Sequence, residues 1–562
     1  LQRVLQQSTR TVTHLQSCVA SSCTYRNAYM GRNHLRWTST SIGQHHNYCD
    51  RSHYHSDVYM NASSSGSSSS SSNASTTATS AVAAENSSTV VKDARRVVAG
   101  QPTPHTHPHL LREDEVTVGI TKEEYRERRA KLMSILNEQG GKHHVLLLPA
   151  TPRRYMVDKI PYLYRQDTDL LWSTGCKEAD CVLLLHTVPS SSASPPSHRA
   201  VMFCPEPPPL QEIWDGPRTH HTHATQVWGV DEGLPMTELT SYLTSLEKTL
   251  CSPSLWYNHR DPPNPNTHYL LQRWLSEGRA AGLESPKLHM HRARLVKSPA
   301  EQTLMRHACR ISAESVRATI QWSEPGMSEH QLFAKVDYET RMRGADHLAY
   351  PPVVAGGNRA NIIHYISNNQ IVDDGDMVLM DAGAEYHGYS GDVTRTWPIN
   401  GRYTSPQREL YEATLHVQNA VLAALRNGRP SVDLLYRSMC SHLASVLPDL
   451  GIVSRNSTAE HRVKVAQSLC PHHVSHYLGM DVHDTPGVSR CLPLQPGTII
   501  TVEPGIYVPH GSRLAPSRYH GLGVRIEDDV LVTETGYELL SGACPRHPDD
   551  IQDLIASRPL AS

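Results

Sequence analysis

The chain has 562 residues, 53 Lys and Arg against 55 Asp and Glu, and a net charge of -2. That length exceeds a single hydrophobic core and divides into two to four units. The near-neutral balance excludes the global positive field that nucleic acid or an anionic membrane would require, and no apolar run approaches the ~20 residues of a membrane span. The 12 cysteines include no CxxC pair and no dense cluster, which reads as reduced thiols and not as a disulfide framework.

From Leu1 to Cys49 there is no Asp or Glu, while Arg3, Arg10, Arg26, Arg32 and Arg36 are spread among Ser, Thr and Gln. An Arg-rich, Ser-rich, acid-poor segment without an apolar core reads as a mitochondrial presequence, placed at 1–52. Residues 53–99 follow as a linker, because Ser63–Ser65, Ser67–Ser72 and the Ser/Thr/Ala run after them bury too little apolar surface to offset the entropy of ordering.

Folded sequence is expected from Gly100. Thr121 followed by Glu124 predicts a capping box and a helix to about Glu138. Strand-sized runs at Val145–Leu148, Cys181–Leu185 and Ala200–Phe203, with helical patterns at Met236–Leu250 and His268–Arg279, predict an α/β domain over 100–292. A second domain, 293–562, opens at Ser298-Pro299-Ala300-Glu301, where Ser298 caps and Pro299 takes the first helical position. Further helices are predicted from Ser328, with Gln331 three residues on, and from Ser405-Pro406 to Asn427-Gly428, with Gly428 as a left-handed stop. Strands are predicted at Met377–Ala382, Asp392–Pro398, Ile499–Glu503 and Val524–Val532, largely antiparallel under the helices.

Those strands carry the chemistry. A hairpin joining Met377–Ala382 to Asp392–Pro398 brings Asp381 and Asp392 to one face. Carboxylates among Leu, Met, Ala and Val are costly unless paired. Glu503 ends an apolar strand before Pro504-Gly505, Glu527 follows Val524-Arg525-Ile526, and His476 supplies a nitrogen. Four carboxylates carry a charge that two divalent ions balance and one does not. The oxygen-rich set suits Mn²⁺ or Co²⁺ better than a thiolate-type zinc site.

These five residues, with His476–Asp484, Thr501-Val502-Glu503-Pro504-Gly505 and Gly523–Asp528, resemble the pita-bread metallopeptidases in order and spacing. The resemblance is strongest to the X-prolyl aminopeptidase branch, and the lead-in Gly100–His109 is similar to its mitochondrial type. It implies an α/β amino-terminal domain followed by a pita-bread catalytic domain, two divalent ions (most suitably Mn²⁺), and removal of an N-terminal residue ahead of proline. Peptide or protein N-termini would be the substrates. It further implies that Asp392 and Glu527 bridge the ions, that Asp381 holds one, and that His476 and Glu503 hold the other. Glu503 would shuttle a proton, His364 and His483 would line the pocket and stabilise the tetrahedral intermediate, Tyr350 would contact substrate, and Tyr507 and Arg525 would form a network beside Asp381. Asp169, in Tyr164-Arg165-Gln166-Asp167-Thr168-Asp169, would reach the active site of the other subunit in a homodimer. Mitochondrial relatives also trim imported proteins, and a cytosolic form is compatible. Prolidase and a metal-free binding protein on this fold are the alternatives. The chain departs from the relatives in having only two Phe, Phe203 and Phe333, which bears on pocket shape and not on chemistry. His472 stays unassigned. The groups His105, His107, His109 and His220, His221, His223 have few acidic companions in sequence and read as solvated loops.

Overall fold

The computed structural model describes residues 99–140, 143–189, 197–206, 210–276 and 283–558. The expected presequence and nearly all of the linker lie outside these residues.

The α/β part is built on a six-stranded sheet in the order Leu283–Glu284, Ser254–Trp256, His144–Pro149, Val182–Val188, Ser197–Cys204, Glu232–Pro235. The central three strands are antiparallel and the outer ones join in parallel. Strand alternation divides the apolar runs between two buried faces. Leu146, Leu148, Leu183, Leu185 and Met202 enter one core; Val145, Leu147, Val182, Leu184 and Val201 enter the other with Leu243 and Leu271. Burial on both sides is why these strands read as continuous hydrophobic segments. Thr121 caps the helix Lys122–Asn137 by accepting from the Glu124 N–H at 3.2 Å. The box does not close, because the Glu124 carboxylate is taken by Arg128 at 2.7 Å and by the Ser298 hydroxyl at 2.6 Å.

In the second part, full capping boxes start Pro299–Trp322 at Ser298 and Glu329–Met342 at Ser328. The helix Ser405–Arg426 starts at Ser405 as expected, after the cap Thr404, but Gly428 does not take the left-handed backbone predicted for it. These helices, with Val432–Val446 and Ala459–Leu469, bury Val378, Met380 and Trp397. Leu379 and Asp381 alternate onto the opposite face, where Leu379 packs with Val353 and Tyr507.

Two antiparallel ribbons occupy that face. In the first, Met377–Ala382 pairs with Val393–Pro398, placing Asp381 opposite Thr394. The same register resumes beyond a gap in Ala384–Tyr386 and Tyr389–Ser390. It closes on His387 and Gly388 at φ 51° and 83°, the paired positive φ values of a type I′ turn. In the second ribbon, Ile499–Val502 pairs with Asp528–Thr533, and Gly505–Val508 pairs with Leu522–Arg525. The single strand expected over Val524–Val532 is therefore two. Its ladder breaks at Glu527, whose N–H donates instead to the Thr394 carbonyl of the first ribbon at 3.1 Å, while the Glu503 N–H turns to Val474 at 2.9 Å. Both ribbons open where their acids sit. Among the described residues no helix is long and apolar enough to cross a membrane.

Candidate active site

Asp381 and Thr394 face each other across the first ribbon, and Asp392, two residues before Thr394, lies on the same face. The Tyr350 hydroxyl donates to Asp381 at 2.6 Å and to Asp392 at 2.5 Å. Burial and the surrounding acids hold this phenol far above its usual pKa, so it remains a donor. Arg525, on the second ribbon, donates to Asp381 at 2.6 Å, to the Tyr507 hydroxyl at 3.0 Å and to the Thr394 hydroxyl at 3.1 Å. The Thr394 hydroxyl in turn donates to Glu527 at 2.6 Å. His476 Nε2 lies 3.4 Å from Asp392 and 3.6 Å from Glu503. Donor atoms of Asp392, His476 and Glu527 lie within 4.8 Å of one another.

The five expected ligands thus converge, and Tyr350, Tyr507 and Arg525 brace them. His483 lies at the rim, exposed, its ring edge-on to His476 at 4.6 Å. His364 is also exposed, near enough for its charge to act on both His472 and His483. Asp169 is held elsewhere. Its buried carboxylate is clamped by Lys287 and Arg294 of its own chain, each at 2.7 Å, and Arg294 continues to Asp481 at 2.8 Å and to Asp484.

Metallopeptidase family M24 matches residues 303–534, and the aminopeptidase P N-terminal domain matches 125–253. Xaa-Pro aminopeptidase 3 of Rattus norvegicus is 44% identical over 473 residues, covering 83% of this chain and 92% of that protein. Intermediate cleaving peptidase 55, mitochondrial, of Arabidopsis thaliana is 38% identical over 457 residues, 81% of this chain and 87% of the relative. The chain belongs to metallopeptidase family M24, in its aminopeptidase P branch. Its fold is that of solved aminopeptidase P. The zinc-substituted Escherichia coli enzyme in complex with product superposes with a TM-score of 0.71 at 30% identity, over 79% of this chain and 100% of that one.

This metallo-aminopeptidase takes divalent metal ions, and the acid cluster fits them. Burial and mutual repulsion raise Asp381 and Glu527, the latter far above the usual carboxylate range. Burial also lifts Glu503 to about 7, with Asp392 and Asp381 acting against His476 and Arg525. At His476 burial is outweighed by the Asp392 hydrogen bond and the Glu503 charge, which lift the imidazole to about 9. Four carboxylates so crowded, with one buried guanidinium in contact, are short of positive charge, which divalent cations supply. Bound there, divalent ions polarise a carbonyl and make water acidic. The chain's own part is to hold the ligands in place through Tyr350, Thr394 and Arg525.

One participant, Thr394, was not expected, and another, His472, was left unassigned. Thr394 is the hinge between Glu527 and Arg525; its signal was the two-residue spacing from Asp392. His472 Nε2 lies 2.9 Å from the Tyr507 hydroxyl and its Nδ1 lies 3.6 Å from Glu503. Burial and the Arg525 charge lower its pKa to about 4, leaving a neutral imidazole in the wall.

Proposed function

We propose that the enzyme removes one residue from peptides bearing proline in the second position, and that it trims imported proteins in mitochondria. Proline lacks an N–H and bends the chain, so a shaped pocket can select it. The observation that supports this reading most is the convergence of Asp392, His476 and Glu527 within 4.8 Å, in a chain 44% identical to a relative named for Xaa-Pro cleavage. The mitochondrial part leans on the relative named intermediate cleaving peptidase 55, mitochondrial. A cytosolic form is compatible with the same reading.

The assignment of roles is ours. Asp392 and Glu527 would be shared between two ions of Mn²⁺ type, Asp381 would hold one, and His476 with Glu503 would hold the other. Glu503 would carry a proton between the attacking water and the leaving amine. His364 and His483 donate to substrate oxygens as negative charge develops. Asp169 anchors the His483 segment through Arg294. The chain divides at 1–52, 53–99, 100–292 and 293–562 and works as a homodimer.

Two assays test this reading. Xaa-Pro dipeptides are compared with longer Xaa-Pro peptides, where cleavage of the longer set is expected and activity confined to dipeptides contradicts it. N-terminal profiling of mitochondrial proteins with active enzyme and with Asp392→Asn should show single-residue trimming only with the former.

A further inference from the structure

Folding supplies the acidic companion that the sequence around His220, His221 and His223 lacks. Glu206, just past the strand Ser197–Cys204, brings Oε1 to 3.5 Å from His221 Nδ1 and 4.0 Å from His220 Nε2. One donor atom of each residue lies within 4.8 Å of the other two. We propose that Glu206, His220 and His221 form a second metal site, on the α/β part of the chain, for a divalent transition-metal ion of zinc type.

Two imidazoles and one carboxylate are zinc chemistry, with water in the fourth position, and contrast with the oxygen-rich catalytic cluster. Ligand bonds of about 2.0 to 2.2 Å in tetrahedral array set donor atoms roughly 3.3 to 3.6 Å apart. The Glu206–His221 pair already has that spacing at 3.5 Å, and a small rotation of the exposed Glu206 side chain closes the 4.0 Å gap to His220.

The two imidazoles lie side by side, ring centroids 4.0 Å apart and tilted by 37°, so the rings as well as Glu206 turn to close on an ion. His220 caps the short turn His221–His223, and its Nδ1 lies 2.8 Å from the Thr222 hydroxyl. His221 Nδ1 is buried without a hydrogen-bond partner, and a buried polar atom left unpaired marks a place for a water or an ion. The turn itself is seated firmly, since the His221 carbonyl approaches Gly233 so closely that a Cβ there would stand 1.9 Å from the oxygen. An ion at this site ties Glu206, two residues past the strand Ser197–Cys204, to the turn at His220.

The test is equilibrium dialysis of the full chain against zinc chloride, with bound zinc counted by mass spectrometry. The catalytic cluster also takes zinc, so the readout is the difference between wild type, Glu206→Gln and the pair His220→Ala/His221→Ala. One zinc fewer per chain is expected in the histidine pair. In Glu206→Gln that ion should bind about tenfold more weakly or worse, with peptide hydrolysis unchanged in both variants. Glu206 is exposed, so its variant folds even where the histidine pair does not. Equal zinc binding by wild type and Glu206→Gln overturns the site, and so does a parallel loss of peptidase activity, which would put the missing ion in the catalytic cluster.

Discussion

Replacing Thr394 with valine keeps the shape of a fully buried strand residue and removes one hydroxyl from beneath the acid cluster. That hydroxyl donates to Glu527 at 2.6 Å and accepts from Arg525 at 3.1 Å. A hydrogen bond to a charged group contributes about 1.5 to 3 kcal/mol. With each ~1.4 kcal/mol equal to a factor of ten, losing the support of Glu527 should weaken metal retention roughly 10- to 100-fold, as when other ligand-orienting residues are removed. The assay is calorimetric titration of metal-free protein with Mn²⁺ at fixed pH, beside kcat/KM at saturating metal. Weaker retention with activity largely restored by excess metal is the expected pattern, and Thr394→Ser should behave as wild type. If Thr394→Val holds metal within about threefold of wild type, Thr394 does not orient Glu527 as the geometry requires.

Glu503 near pH 7 and His476 near pH 9 in the metal-free site must lose protons before they bind a cation. Metal uptake at pH 7 should therefore release protons, and affinity should climb between about pH 6 and 9, by up to ~tenfold per unit for each proton displaced; titration in buffers of different ionisation enthalpy checks it, and a flat profile contradicts it. Arg294 touches three carboxylates, two of them, Asp169 and Asp484, fully buried, so Arg294→Met should lower stability by about 3 to 5 kcal/mol at pH 7, read as a fall in denaturation midpoint. Burial notwithstanding, Lys287 and Arg294 hold the Asp169 pKa below its usual value, so this stability is present above the ordinary aspartate range and is lost as pH falls through the folded-state pKa. The difference between wild type and Arg294→Met should then narrow below about pH 4, and a gap that widens there would contradict the ion-pair account. His483→Ala should lower kcat/KM about 100-fold or more with metal content unchanged; full activity would remove His483 from the proposed role.

The acids of the site were legible because Asp381, Glu503 and Glu527 each end or interrupt an apolar strand, where an unpaired carboxylate has no other reason to be. The break at Glu527 was not. Val524–Val532 is strand-like throughout, and only the hydrogen bond from the Glu527 N–H to Thr394 in the other ribbon divides it. The capping boxes at Ser298 and Ser328 are local and were read correctly; the one at Thr121 was half right because Glu124 was claimed by the distant Ser298. In the Asp167-Thr168-Asp169 segment the cap is Asp167, which accepts from the N–H groups of Asp169 and Leu170 at 3.1 Å. That leaves Asp169 to pair with Lys287 and Arg294, partners too far along the chain for any local pattern to reveal. Glu206 escaped notice beside His220 and His221 for the same reason.

Metal content and aminopeptidase activity, measured together on the purified chain and on Asp392→Asn, test the central claim most directly. Asp392 receives the Tyr350 hydroxyl at 2.5 Å, lies 3.4 Å from His476, and groups with His476 and Glu527 within 4.8 Å. Two divalent ions per wild-type chain are predicted, with loss of metal and of activity together in Asp392→Asn. Less than one ion per chain, with activity unchanged in Asp392→Asn, would contradict it.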